Sequence, residues 1–491
     1  MTLDRSISKV VVAGGGLAGW STAAALKRRI PMLAIEIVSS PPPADSIVDR
    51  VISTLPSIMD FHADIGLTEA DTIVRAQSGL RAGTLLDGWA AGRPAYVHAY
   101  GNYGHAIDGT PFHQQWLRAR EAGDVEPFDR FSPAAELGRA ARLAGTDSAV
   151  APEIGYGLHL TLERYLQLMR AYALHLGVTE RPAEISGVEL RGEVGFVDRL
   201  LLSDGQAIRA DLFVDCTGPS AKIRSQLGGE FIGWHRWLPC DRLLFATSAP
   251  EGDAQLLDRV SATTWGWQWR ASSPASGSIG ASYSSAHAGR GEVIATLPPS
   301  LEFAEIPLRQ GRWAQPWIGN CVPIGDAAVA IEPLEWTNLH LVHSHVDRLV
   351  SMMCGSDFAP VELFEYNRQS GAEADRMRDF ACLHYIAARR PEPFWKEASS
   401  IEPPESLVHS VSLFAERGRL PYYEEETFTR DSWLAVLLGQ GLEPRRTDPL
   451  ADIVPMGEAT QSIAKYRDAV KTFVDSQPGY QQSFSSLGQH A

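Results

Sequence analysis

The chain has 491 residues, 44% of them hydrophobic, and a formal charge of -15. That length supports a large core and two or three modules. The acidic balance argues against nucleic acid or an anionic membrane as a partner, because no run of Lys and Arg forms a compensating basic groove. No stretch approaches the roughly 20 apolar residues of a bilayer span. The opening MTLDRSISKVVVAGGG runs straight into glycines without a secretory leader, so a cytoplasmic protein is expected. Cys216, Cys240, Cys321, Cys354 and Cys382 match no zinc or redox spacing and are expected as buried free thiols.

In chain order, Lys9 to Ala13 is a short β-branched run, expected as a buried first strand. It breaks into Gly14-Gly15-Gly16-Leu17-Ala18-Gly19. An Ala-rich helix is predicted from about Trp20 to Arg29, and a second strand over Met32 to Val38. Pro41-Pro42-Pro43 closes this unit as a loop. Residues from about 45 to 150 read as loops and short helices. A helix is predicted near Thr161 to Gly177. Strands follow around Glu184 to Leu190 and Val197 to Leu202, with Ser203-Asp204-Gly205 as a turn between strands. Ala210 to Cys216 reads as a buried strand, and Asp241 to Ser284 as strand-rich. A strand near Cys321 leads into Gly325-Asp326 and a helix-like stretch. Beyond Ser351 the chain reads as mostly helical. The fold class expected is α/β: a Rossmann-type box with a mixed sheet and interleaved segments over residues 1–350, then a mostly helical C-terminal module over 351–491.

Gly14, Gly16 and Gly19 form G-x-G-x-x-G between a strand and a helix. The first glycine permits the tight turn, the second lets backbone approach a pyrophosphate, and the third lets helix and strand pack closely. Leu17 and Ala18, in the turn ahead of the predicted helix, are cofactor-binding candidates with the glycines, and the N-terminus of that helix faces the anion. The acidic residue expected roughly 20 residues on, for the ribose hydroxyls, is missing. Ser39 holds that position, and Glu36 lies within the strand facing either side. A second signal, Gly325-Asp326-Ala327-Ala328, offers a carboxylate to a ribityl chain. The two glycine sites together favour FAD over NAD. His105, His113 and His159 have no Cys or carboxylate at ligand spacing, so no metal site is expected.

GGGLAGW at Gly14 to Trp20 resembles the opening of the flavin-dependent (tryptophan) halogenase family. So do LPSIMDF at Leu55 to Phe61, IDGTPFHQQWL at Ile107 to Leu117, YGLHL at Tyr156 to Leu160 and ADLFVDCTG at Ala210 to Gly218. GWQW at Gly266 to Trp269, NCVPIGDAA at Asn320 to Ala328, IEPLEWT at Ile331 to Thr337 and the C-terminal RDFACLHY, PFWK and SWLAVLLGQG continue in family order. The resemblance implies a flavin box with a helical module over an aromatic substrate, an indole or a phenol. It implies a separate flavin reductase supplying reduced FAD, and oxygen and halide giving hypohalous acid. That acid passes through a tunnel to a lysine beside the substrate, and a glutamate helps remove the arene proton. It also leaves a homodimer open.

On this resemblance the glutamate falls on Glu335 and the lysine position is held by Arg81. A guanidinium stays charged and cannot become a haloamine, though it can orient hypohalous acid by hydrogen bonding. The halide and substrate region maps to Trp267, Trp269, Trp336, Thr337 and Asn338. The flavin strap reads Val51-Ile52-Ser53-Thr54, and Val329 replaces a glycine near the flavin. Trp234, Trp237, Trp265 and Trp433 are further candidates for an aromatic wall. Three activities stay open from the sequence: a halogenase in which Arg81 positions the oxidant and Glu335 is the base, a flavin monooxygenase indifferent to halide, and a non-catalytic relative with weakened flavin contacts.

Overall fold

Lys9–Ala13, Leu212–Asp215 and Cys321–Pro323 are short runs with too few polar side chains to alternate between core and water, so they fold as buried strands of a parallel sheet. Val10, Val11, Val12, Phe213, Val214 and Val322 are all fully buried. The structure is a computed structural model describing residues 6–123, 125–143, 154–192, 195–250 and 255–483. The first five residues of the opening stretch lie outside it.

The parallel sheet runs in the order Cys321–Pro323, Leu212–Asp215, Lys9–Ala13, Ala34–Val38, Thr179–Arg181. Its register pairs Ala13 with Asp215 and Asp215 with Pro323. The carboxyl ends of Lys9–Ala13, Leu212–Asp215 and Cys321–Pro323 therefore finish level, and that end is where ligands bind in open α/β sheets. The helix Leu17–Arg29 follows the first strand, begins three residues earlier than Trp20, and packs against Leu162–His175 and Asn338–Ser351.

A second sheet has seven strands, ordered Ala304–Pro307, Arg242–Ser248, Gly277–Tyr283, Gly266–Ser272, Leu257–Ala262, Gly83–Asp87, Tyr96–Ala99. Only the pairing of Leu257–Ala262 with Gly83–Asp87 is parallel. Here the expectation for residues 45–150 needs correcting, because Gly79–Arg81, Gly83–Asp87 and Tyr96–Ala99 are strands. Gly79–Arg81 and Gly83–Asp87 find partners far along the chain, at Gly157–His159 and Leu257–Ala262, and Tyr96–Ala99 joins the sheet only by pairing with Gly83–Asp87, so local sequence carried little signal. The stretch after Gly325-Asp326 also differs from the helix expected directly behind it: a single 3₁₀ turn, Gly325–Ala327, is followed by the short strand Val329–Ala330, and a helix starts only at Asn338.

Helices Pro360–Ala387, Pro393–Ser400, Glu405–Arg417, Arg430–Gly439 and Met456–Ser476 build the carboxyl-terminal part. One apolar cluster is continuous from Val10 and Leu26 through Trp267 and Trp269 to Phe380, Trp395 and Leu437. All five cysteines are free and buried. Among the described residues no helix is long and apolar enough to cross a membrane.

Candidate active site

At the end of the first strand Gly14 turns with φ +119°, and a Cβ there would lie 2.3 Å from the Cys216 carbonyl oxygen. A Cβ on Gly19 would lie 1.8 Å from the Gly14 carbonyl oxygen, so the helix can seat against the strand only with glycine at both places. Leu17, the first helical residue, presents a free-end N–H. That N–H donates to Asp49 Oδ1 at 2.7 Å, and Asp49 Oδ2 would meet a Cβ on Gly16 at 2.6 Å. A carboxylate of the chain itself therefore sits where the glycine motif predicts an anion.

Asp326 lies beside it. Its Oδ2 accepts from the backbone N–H of Ile47 at 2.7 Å and of Val48 at 3.1 Å, with the Ser46 hydroxyl at 3.4 Å. Ser46 also donates to Asp49 Oδ2 at 2.6 Å and so bridges the two acids. Burial, helped by the Asp49 charge, pushes the Asp326 carboxyl up to about 7. Glu36 is committed to ion pairs with Lys9 at 3.1 Å and Arg181 at 2.8 Å. Ser39 ends the strand, its backbone N–H bonded to the Arg181 carbonyl. The Ser39 hydroxyl is buried without a well-aligned hydrogen bond and has Glu180 as its acidic neighbour.

Arg81 is fully buried. Its Nε binds Asp258 Oδ2 at 2.5 Å, Nη1 donates to the Thr54 carbonyl at 2.9 Å and to the Tyr100 hydroxyl, and Nη2 donates to Thr84 Oγ1 at 2.7 Å. The guanidinium lies 5.1 Å from the Tyr100 ring centre and 5.9 Å from that of Trp336. Asp258 also accepts from Ser53 at 3.0 Å and pairs with His159 Nε2 at 2.7 Å. Burial works to raise the Asp258 carboxyl, but the Arg81 and His159 charges hold it below its usual value. Ser53 and Thr54 belong to the strap, and Thr54 is bonded further to Leu158. The strap is thus tied to the Arg81–Asp258 pair.

Glu335 is buried between two imidazoles. Oε2 lies 3.0 Å from His98 Nδ1, and Oε1 lies 2.8 Å from His384 Nε2, a close contact off the hydrogen-bond line. Burial would raise this carboxyl, yet His98 and His384 hold it well below the usual carboxylate range. Tyr100 joins the two centres, since it meets Arg81 and its ring lies 6.0 Å from His98. Trp267 and Trp269 are fully buried. Trp267 donates to Glu332 Oε2 at 3.1 Å and Tyr385 at 2.9 Å, and Trp269 donates to Ser278 at 3.2 Å. Trp336, at φ +60°, packs edge-on against Trp269, and its N–H has no hydrogen-bond partner among the described residues. Thr337 holds the N-cap position of the helix Asn338–Ser351 without a side-chain capping bond, and Asn338 donates to the Ile331 carbonyl at 3.0 Å. Val329 is buried in a strand opposite Arg312. Trp234 and Trp265 are core residues, Trp237 is half-buried, and Trp433 borders a separate groove of about 510 Å³. His113 bonds the Gly418 carbonyl at 2.9 Å, and His105 packs on Tyr466.

The tryptophan halogenase profile matches residues 9–456. The chain belongs to the tryptophan halogenase family. Tryptophan 6-halogenase SttH of Streptomyces toxytricini is 25% identical over 529 aligned positions, covering 99% of each chain. The structure of BrvH, a flavin-dependent halogenase from Brevundimonas sp. BAL3, superposes with a TM-score of 0.93 at 35% identity, covering 99% of this chain and 100% of that one. Xcc4156, a flavin-dependent halogenase from Xanthomonas campestris, gives 0.93 at 30% identity over 98% and 99%. The chain is thus a flavin-dependent halogenase-like enzyme on the α/β fold the family implies. FAD, the family cofactor, fits the residue types present: the glycines leave a Cβ-free cradle, the Leu17 N–H at the helix N-terminus is an anion donor that Asp49 takes here, and Asp326 faces the same loop.

Sequence reasoning missed Asp258, His98, His384, Tyr100 and Asp49. None sits in a motif whose spacing names a role. Asp49, an acid downstream of a glycine-rich turn, and His384, inside the family-like stretch RDFACLHY, offered weak signals.

Proposed function

We propose that the protein halogenates an aromatic substrate, an indole or a phenol, using halide, oxygen and FAD reduced by a separate reductase. Gly14, Gly16, Leu17, Ala18 and Gly19 would hold the diphosphate, Ser39 the adenosine ribose, and Gly325-Asp326 the ribityl arm. Bound reduced FAD with oxygen supplies the oxidising power that makes halide electrophilic.

The observation that carries the reading is the placement of Glu335, a buried carboxylate 3.0 Å from His98 Nδ1 and 2.8 Å from His384 Nε2. The two imidazoles stabilise its anion and so make it a weak base, but the cationic adduct of an arene with an electrophilic halogen is strongly acidic and gives up its proton to a weak base. The proton arrives at an oxygen whose neighbour, His98 Nδ1, lies 3.0 Å away.

Arg81 works differently from a lysine. Four of its five N–H groups are committed among the described residues, and its charge is fixed by Asp258. It orients an oxidant through a fixed positive field and carries no halogen covalently. The test is to supply reduced FAD, oxygen, bromide or chloride and a panel of indoles and phenols, with product masses as readout. Halogenated product that requires halide is expected. Oxygenated product indifferent to halide would replace this reading with the monooxygenase one. Tight FAD binding with no product across the panel would refute both.

A further inference from the structure

The dinucleotide cradle has an occupant drawn from the chain itself. Asp49 Oδ1 takes the Leu17 N–H at 2.7 Å, the bond a bound phosphate would need. The turn carrying it is held down from the other side, because Asp326 receives the N–H groups of Ile47 and Val48, and Ser46 bonds both acids. Gly16 lacks the Cβ that would collide with the Asp49 carboxylate at 2.6 Å. The same carboxylate that satisfies the helix end therefore fills the space a diphosphate requires, and two acids face any incoming phosphate.

We infer that the segment Ser46 to Asp49 is a built-in competitor for FAD: the Asp49 carboxylate stands in for a flavin phosphate on the helix N-terminus and must swing out before the cofactor can bind. This rests on the flavin reading above. The open form is then the binding-competent one, and apparent affinity is the intrinsic affinity scaled by the fraction open. Asp326 has two successive partners, the Ile47 and Val48 amides when the segment is down and the ribityl hydroxyls when it is displaced. The strap beyond it, at Ser53 and Thr54, stays anchored on Asp258 and Arg81, so the movement is confined to the turn before it.

The test titrates oxidised FAD, and separately ADP, into the full-length protein, Asp49→Ala and Asp49→Asn, following flavin fluorescence and calorimetric heat. Both ligands should bind Asp49→Ala tighter than wild type by about tenfold, the effect of one lost charge-assisted hydrogen bond. Asp49→Asn, which keeps the shape and loses the charge, should fall between. Ser46→Ala, which loosens the segment without touching the cradle, should move the same way by a smaller factor and guards against misfolding of the Asp49 variants. Hydrogen exchange should show the Ile47 and Val48 amides protected in the free protein and released when FAD binds. Equal or weaker FAD and ADP binding by Asp49→Ala would overturn the proposal and make Asp49 a flavin contact or a bystander. If neither wild type nor any variant binds FAD, the flavin reading itself fails and takes the proposal with it.

Discussion

Replacing Asp258 by Asn is the sharpest test of how this site is held together. Asp258 joins Arg81, His159 and Ser53 in a pocket closed to water. Asn keeps the shape and can still accept from Ser53 and His159, but it leaves the Arg81 guanidinium without a counter-charge. Breaking one side of a buried ion pair costs about 3–5 kcal/mol, mostly the desolvation of the stranded charge. Replacing Arg81 by Met instead leaves Asp258 with His159 and Ser53, a loss of about 1–3 kcal/mol. The double substitution removes the stranded charge and should unfold at higher denaturant than Asp258→Asn alone. The assay is urea unfolding by tryptophan fluorescence and circular dichroism on all four proteins. If the two single effects add to within about 0.5 kcal/mol, the pair is not coupled and the account of a strap tied to a buried ion pair is wrong.

The other predictions concern the acids and the cradle. Glu335→Gln should lower halogenation by about 10²–10⁴-fold while FAD binding, read by fluorescence, is unchanged; a smaller loss would move the base elsewhere. Burial pushes the Glu332 carboxyl up to about 7 from 4.5, so below 4.5 both folded and unfolded states hold the proton and no penalty exists. As pH rises towards 7 only the folded state keeps it, so stability is lost across that window, on the order of 3 kcal/mol, and is flat above it. Glu332→Gln should therefore flatten the fall in melting temperature between pH 5 and about 7; an identical slope would refute the shift. Gly19→Ala places a Cβ 1.8 Å from the Gly14 carbonyl oxygen, so it should abolish FAD binding and lower the melting temperature.

What the sequence determined is local in origin. Lys9 to Ala13 is a strand because its side chains are β-branched and apolar, and Gly14, Gly16 and Gly19 mark a phosphate turn because a Cβ at each would collide with backbone or with the anion's place. The mostly helical character beyond residue 351 was legible in the sequence, and the order of motifs gave the family and the roles proposed for Glu335 and Arg81. Tertiary structure alone decided the rest. Gly83–Asp87 became a strand by pairing with Leu257–Ala262, far beyond the reach of local propensity. Arg81 became a fixed cation because Asp258, Thr54 and Tyr100 converge on it, and Glu335 stays ionised because His98 and His384 arrive from a strand and a distant helix. Asp49 reached the glycine cradle by a turn that no motif encodes. Charge and hydrogen bonding act through distances in space, and those distances exist only once the chain has folded.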